Sequence, residues 1–297
     1  MFPRMFPAFI GSPPGGVGET VEGVDSRAPR VLTVIAVLLT IGTAATDVAC
    51  FTRLGSVFAS VMTSNIVFLG LSAAEHSGLL AERASIAVAA YVIGVAAASR
   101  LARTGQRANY PAASGAPGTS GHPGRPGRPG RPGRPGRPGR PGGTTWSRWI
   151  TATLVIEMVV LAVFTAGWEI TGAKPAGGAQ LFLLAVAAVA MGMQSAVVAV
   201  LGIAGVSTTY LTGTLTMLID SLASGPPRQG SNARRGAALG ALAAGAGLSG
   251  LLLATAQAAV PAVPLATLIG AIVAGSVWLR PAAVPEGAAR AADGHRG

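Results

Sequence analysis

Eight apolar stretches of about twenty residues each, near the length needed to cross a bilayer, constrain this chain most. They cover residues 31–51, 54–72, 84–101, 149–168, 180–201, 205–223, 236–256 and 261–279. Half of the 297 residues are hydrophobic and only 11% are charged, where a soluble domain carries about 25%. The apolar residues come in runs rather than stripes, so the chain reads as an integral membrane protein with an all-α fold. The first thirty residues lack a continuous apolar core, so no cleavable signal peptide is expected, and the first stretch serves as an uncleaved anchor.

Charge distribution discriminates between topologies. The 22 Lys and Arg divide 11 against 11 if all eight stretches cross. If 54–72 and 205–223 instead enter and leave on one side, the division is 19 against 3, with only Arg53, Arg83 and Lys174 in the minority. Leaving out the six Arg of one repetitive loop, it is 13 against 3. Cytoplasmic loops collect Lys and Arg, which favours six transmembrane helices plus two shorter re-entrant or broken segments; eight spans is the alternative. On the six-span plan the termini and the basic linker are cytoplasmic.

Two polar cassettes interrupt the apolar runs. Asp47 precedes Leu54-Gly55 by seven residues, and Met62-Thr63-Ser64-Asn65 follows. Gln194 precedes Leu201-Gly202 by seven, and Tyr210-Leu211-Thr212-Gly213-Thr214 follows. On the six-span plan the cassettes have opposite orientations, so the chain divides into two pseudo-symmetric, inverted halves, 31–102 and 148–280, a plan used by secondary transporters. Residues 1–30 and 281–297 read as disordered tails. Residues 103–147, with six Arg-Pro-Gly triplets from Arg125 to Gly142, read as a disordered cationic linker able to touch anionic lipid. The small residues of 84–101 and 236–256 read as helix-packing surfaces.

Polar groups in hydrocarbon are expensive, which makes them functional candidates. Asp47 lies late in the first stretch, with Thr40 and Thr43 on its face. It is protonated, paired, bound to a cation, or solvated at the interface; Arg53 is a possible partner two turns on. Glu157 lies mid-way along 149–168, where a carboxyl suits proton coupling as well as a structural hydrogen bond between helices. Asn65, Thr63, Gln194, Thr209, Tyr210, Thr212 and Thr214 offer amide and hydroxyl groups for a solute, although Thr in membrane helices also bonds its own backbone. The lone cysteine, Cys50, reads as a small buried residue. No Cys/His spacing suggests a metal, no phosphate loop or dinucleotide fingerprint is present, and no nucleophile–base–acid set appears. The expected roles are therefore non-enzymatic, without cofactor or metal. The expected partners are membrane lipid, an unknown small solute or ion and a second copy in a homo-oligomer, but no nucleic acid.

At these cassettes the chain resembles the YoaK family of bacterial membrane proteins, a domain of unknown function. The matching residues are Asp47, Phe51, Leu54-Gly55, Val57-Phe58 and Met62-Thr63-Ser64-Asn65, with Ser64 where that family has Gly. In the second half they are Met191-Gly192-Met193-Gln194 and Ser207-Thr208-Thr209-Tyr210-Leu211-Thr212-Gly213-Thr214-Leu215. The resemblance covers roughly residues 30–280 without the linker, and implies an inner-membrane protein with no assigned substrate. A transporter or permease is the leading expectation, with Asp47 and Glu157 handling a cation or proton. A scaffold or sensor whose cassettes only hold helices together is the alternative.

Overall fold

With no water to satisfy backbone groups, a chain in hydrocarbon closes its hydrogen bonds within helices. A computed structural model describes residues 28–109, 146–201, 208–223 and 229–279, and all regular structure there is helical. The elements are α1 (Ala28–Arg53), α2 (Met62–Ala74), α3 (Gly78–Asn109), α4 (Arg148–Ile170), α5 (Gly177–Leu201), α6 (Thr208–Ala223), α7 (Gln229–Thr255) and α8 (Ala262–Trp278), with a 3-10 turn at Gln257–Ala259 before α8. Six stretches are long and apolar enough to cross a membrane: they lie in α1, α3, α4, α5 and α7, and in α8 taken together with the 3-10 turn before it (Gln257–Trp278). The 13-residue α2 rises only about 20 Å, short of a hydrocarbon core of about 30 Å.

One cluster of hydrogen bonds fixes the path around α2. Gln180 Nε2, in the first turn of α5, donates to the Arg53 carbonyl at the end of α1 (2.9 Å), and Arg83 Nη2, early in α3, donates to Gln180 Oε1 (3.0 Å). The end of α1 and the beginnings of α3 and α5 therefore meet on one side. The chain between α1 and α3 leaves and returns on that side, so α2 does not cross.

The same contacts make α1 and α5 antiparallel. Other contacts give the remaining directions: Ile41 and Ala45 of α1 meet Gly245 and Ser249 of α7 in parallel order, and Leu38 and Gly42 meet Gly270 and Pro264 of α8 in antiparallel order. Helix neighbours match between the halves. α1 packs on α7 and α8, as α5 packs on α3 and α4; α2 rests on α3, as α6 rests on α7. Glycine allows the closest of these approaches. A Cβ at Gly94 would strike the Val189 carbonyl, and one at Gly192 the Tyr91 carbonyl, so α3 and α5 touch backbone to backbone.

The expected second segment, 54–72, is only partly helical. α1 ends in a left-handed turn, with Gly55 at φ 106° and Ser56 at φ 63°, and the Ser56 N–H closes on the Phe51 carbonyl (3.2 Å), a common helix stop. Residues 54–61 then run as an irregular strip before α2. Ser64, where the related family has Gly, lies within α2, a helical conformation open to any L-residue. α3 continues to Asn109, past residue 102, where the first half was drawn. The tails, the Arg-Pro-Gly tract and residues 202–207 lie outside the described residues.

Candidate functional site

An irregular strip among apolar helices needs partners for its backbone. Two side chains supply them. Asp47, 6% exposed, accepts the Ser60 N–H at Oδ1 (2.9 Å) and the Ser60 hydroxyl at Oδ2. Asn65, fully buried, accepts the Phe58 N–H at Oδ1 (3.0 Å) and donates Nδ2 to the Phe58 carbonyl (2.7 Å). Asn65 thus pairs with Phe58 as a neighbouring strand would. Leu54, Val57 and Ala59 turn inward with no exposure, while Phe51, Phe58 and Phe68 stack in series at 5.0 and 6.3 Å between ring centroids. Asp47 takes its partners from Ser60 rather than Arg53, whose carbonyl is held by Gln180.

The second cassette's polar head is used differently. Gln194, 5% exposed, reaches from α5 to α1. Its Nε2 donates to the Leu39 carbonyl (3.2 Å), and its Oε1 lies 3.4 Å from Thr43 Oγ1. The Thr43 hydroxyl also bonds the Leu39 carbonyl (2.9 Å), and it has one proton for two acceptors. Thr40 and Thr46 bond their own backbone one turn back (2.8 and 2.9 Å), the local use that hydroxyls in membrane helices often find.

Glu157 is 1% exposed on α4, and its Oε2 is buried without a hydrogen-bond partner among the described residues. Its depth follows from helix geometry. α4 and α5 are joined by residues 171–176 and touch where Gly167 meets Leu183. Glu157 lies 10 residues back along α4 (167 to 157) and Gln194 lies 11 residues forward along α5 (183 to 194). Both are therefore about 15 Å from that contact at 1.5 Å per residue, and at one level. A carboxyl in the middle of a span with a bare oxygen is the costliest polar group described here.

Not every candidate joins this set. Thr63 is exposed on α2, and Thr214 is buried on α6. Thr209, Tyr210 and Thr212 lie in α6, but their side chains fall outside the described residues. Sequence reasoning missed Ser60, Gln180 and Arg83 as structural partners. Ser60 was visible inside the first cassette, whereas Gln180 carried the weaker signal of a polar residue opening an apolar segment.

The family described as "Protein of unknown function (DUF1275)" matches residues 35–275. The chain belongs to that family. A relative, "UPF0700 transmembrane protein YoaK" of Bacillus subtilis (strain 168), is 26% identical over 176 residues, which cover 59% of this chain and 60% of that protein's length. No solved structure matches. The six apolar stretches make this a multi-pass membrane protein, in agreement with the relative's description as a transmembrane protein, and the family description assigns no activity.

Proposed function

We propose that this family member is a secondary transporter or permease, with a solute site between its two halves at the level of Gln194 and Glu157. The observation that carries the proposal is Gln194 crossing from α5 to α1 within the membrane, level with a buried carboxyl that has an unpartnered oxygen. Matching helix neighbours with α1 and α5 antiparallel support an inverted-repeat plan, in which a site at the repeat interface opens alternately to either side. The solute remains a small polar molecule or ion. The Thr residues of α6 serve as further ligands, and the role is non-enzymatic.

For orientation, the end where α1 finishes carries Arg53, Arg83 and Lys174. The described part of the other end carries Arg30, Arg100, Arg103, Arg148, Arg234 and Arg235. The more basic end belongs in the cytoplasm of a bacterial cell.

The test is uptake of labelled amines, amino acids and sugars into liposomes containing purified protein. Accumulation above protein-free liposomes that Glu157→Gln abolishes supports the assignment. Wild-type protein that moves none of the three classes while correctly folded refutes it.

A non-transporting scaffold is favoured by one observation: Asp47 and Asn65 use their polar atoms on their own chain. On that reading Glu157→Leu, which removes a buried unpaired carboxyl, stabilises the protein and leaves its cellular role intact.

A further inference from the structure

We infer that the central site takes a small monovalent cation, and that the cation and a proton compete for the Glu157 carboxylate. The inference rests on the central-site reading above and narrows it to one charge class. Among the described residues the buried charged side chains are Asp47 and Glu157, both acidic; no Lys, Arg or His is buried. An anion at this depth would meet like charge with nothing to offset it, at a distance where low dielectric makes repulsion large. A cation meets the opposite sign.

The two acids differ in availability. Asp47 is committed to Ser60 through both oxygens. Glu157 keeps Oε2 free of any hydrogen bond among the described residues while almost wholly excluded from the surface. Such an oxygen is stable when it carries a proton or faces a cation, and each displaces the other. One further oxygen at the same level can contribute to a cation's shell: Gln194 Oε1, whose neighbouring donor, Thr43, is also spent on Leu39. The described residues hold no cluster of three His, Cys, Asp or Glu, so the donor set fits a monovalent ion or an ammonium group rather than a transition metal.

Competing titrations have few sources. α5 and α8, which pack against α4, carry no titratable side chain. α3, which touches α4 more lightly, carries Tyr91, whose carbonyl meets Gly192 two residues before Gln194, and its Glu82, Arg83, Arg100 and Arg103 lie toward its ends. α1 contributes Asp47 and Cys50, with Arg30 and Arg53 at its two ends. Glu157 is thus the group through which proton and cation exchange: the cation enters the site, the carboxyl proton leaves to solvent, and charge balances.

The experiment uses the full chain in detergent, with NaCl, KCl and methylammonium chloride as probes and N-methylglucamine chloride as the inert salt. At least one probe should raise the melting temperature. Its apparent Kd should rise about tenfold per pH unit of acidification while the free carboxyl is protonated. Adding that probe to wild-type protein in weakly buffered dye solution should release a proton for each cation bound, a readout that needs no variant. Glu157→Gln should abolish both effects and Asp47→Asn should keep them. No stabilisation by any probe, binding without proton release, or an effect that survives Glu157→Gln overturns the inference. Failure here is separable from failure of the transport reading. Solute uptake in liposomes without these binding signals removes only the cation, and binding with proton release but no flux removes only transport.

Discussion

Asp47→Ala isolates what the first cassette does. The substitution takes the carboxylate away from the Ser60 N–H and hydroxyl, two donors it accepts in the buried strip. A buried donor left unsatisfied costs about 1–3 kcal/mol, and bonds to a charged acceptor lie at the upper end. We therefore expect a loss of about 3 kcal/mol, concentrated in residues 54–61. Asp47→Asn is the discriminating control. Its remaining oxygen accepts the Ser60 N–H, and its amide can donate to a rotated Ser60 hydroxyl, so about 1 kcal/mol is lost. Cys50 supplies the assay. It is the chain's only cysteine, fully buried, and one turn from Asp47. When opening and reclosing are fast relative to reaction, labelling by a thiol-reactive fluorophore follows the population of the open form. The 3 kcal/mol translates into labelling on the order of 100-fold faster for the alanine variant, against about fivefold for asparagine. Alanine within twofold of wild type would show that Asp47 does not hold the strip. Asparagine as fast as alanine would show that hydrogen-bond geometry is not the basis.

Other elements give sharper yes-or-no outcomes. Asn65→Leu removes both bonds to Phe58 and should cost about 2–4 kcal/mol in detergent melting, with partial recovery in Asn65→Asp, which restores the acceptor only. Gly192→Ala sets a methyl against the Tyr91 backbone and should destabilise by about 1–3 kcal/mol, while Gly240→Ala, on the exposed face of α7 with open space around it, should be neutral or mildly stabilising. In a Cys50→Ala background, Ser77→Cys and Ala233→Cys should label from opposite faces of the membrane; labelling from one face would refute the six-span path. Gln180→Leu should loosen the α1–α3–α5 junction, seen as faster proteolysis of the loop between Arg53 and Arg83.

The span count was legible because hydrocarbon imposes a length rule on composition, and Lys and Arg record which stretches fail to cross. The polar interior was legible for the same reason: Asp47, Asn65, Glu157 and Gln194 stand out where polarity is costly, and all four are buried. What those residues do was less visible. Asn65 looked like a solute ligand, yet its partner is Phe58, seven residues away, because an irregular strip at membrane depth must find bonds locally. The junction at Gln180 joins residues 127 and 97 positions apart, and no periodicity within one segment encodes such a contact. Helix ends were misplaced for a related reason. α3 and α7 extend beyond their apolar stretches into polar sequence, and hydropathy marks where a helix is greasy rather than where its hydrogen bonds stop.

Corresponding positions in the two cassettes carry Asp47 and Gln194, and the structure gives the chemistry behind the difference. The first must accept two donors from its own strip, the Ser60 N–H and O–H, and a short acceptor-only carboxylate does so without ordering a longer chain. The second faces the Leu39 carbonyl of the other half, an acceptor. A carboxylate there would set oxygen against oxygen, whereas a glutamine presents an N–H and reaches one methylene farther. One cassette's polar head thus closes a loop within its half and the other couples the halves. Only the second crosses the plane where the halves would move against each other. Gln194→Glu should therefore disturb the contact between halves while sparing the 54–61 strip, a separation that Cys50 labelling and inter-helix crosslinking between α1 and α5 can read independently.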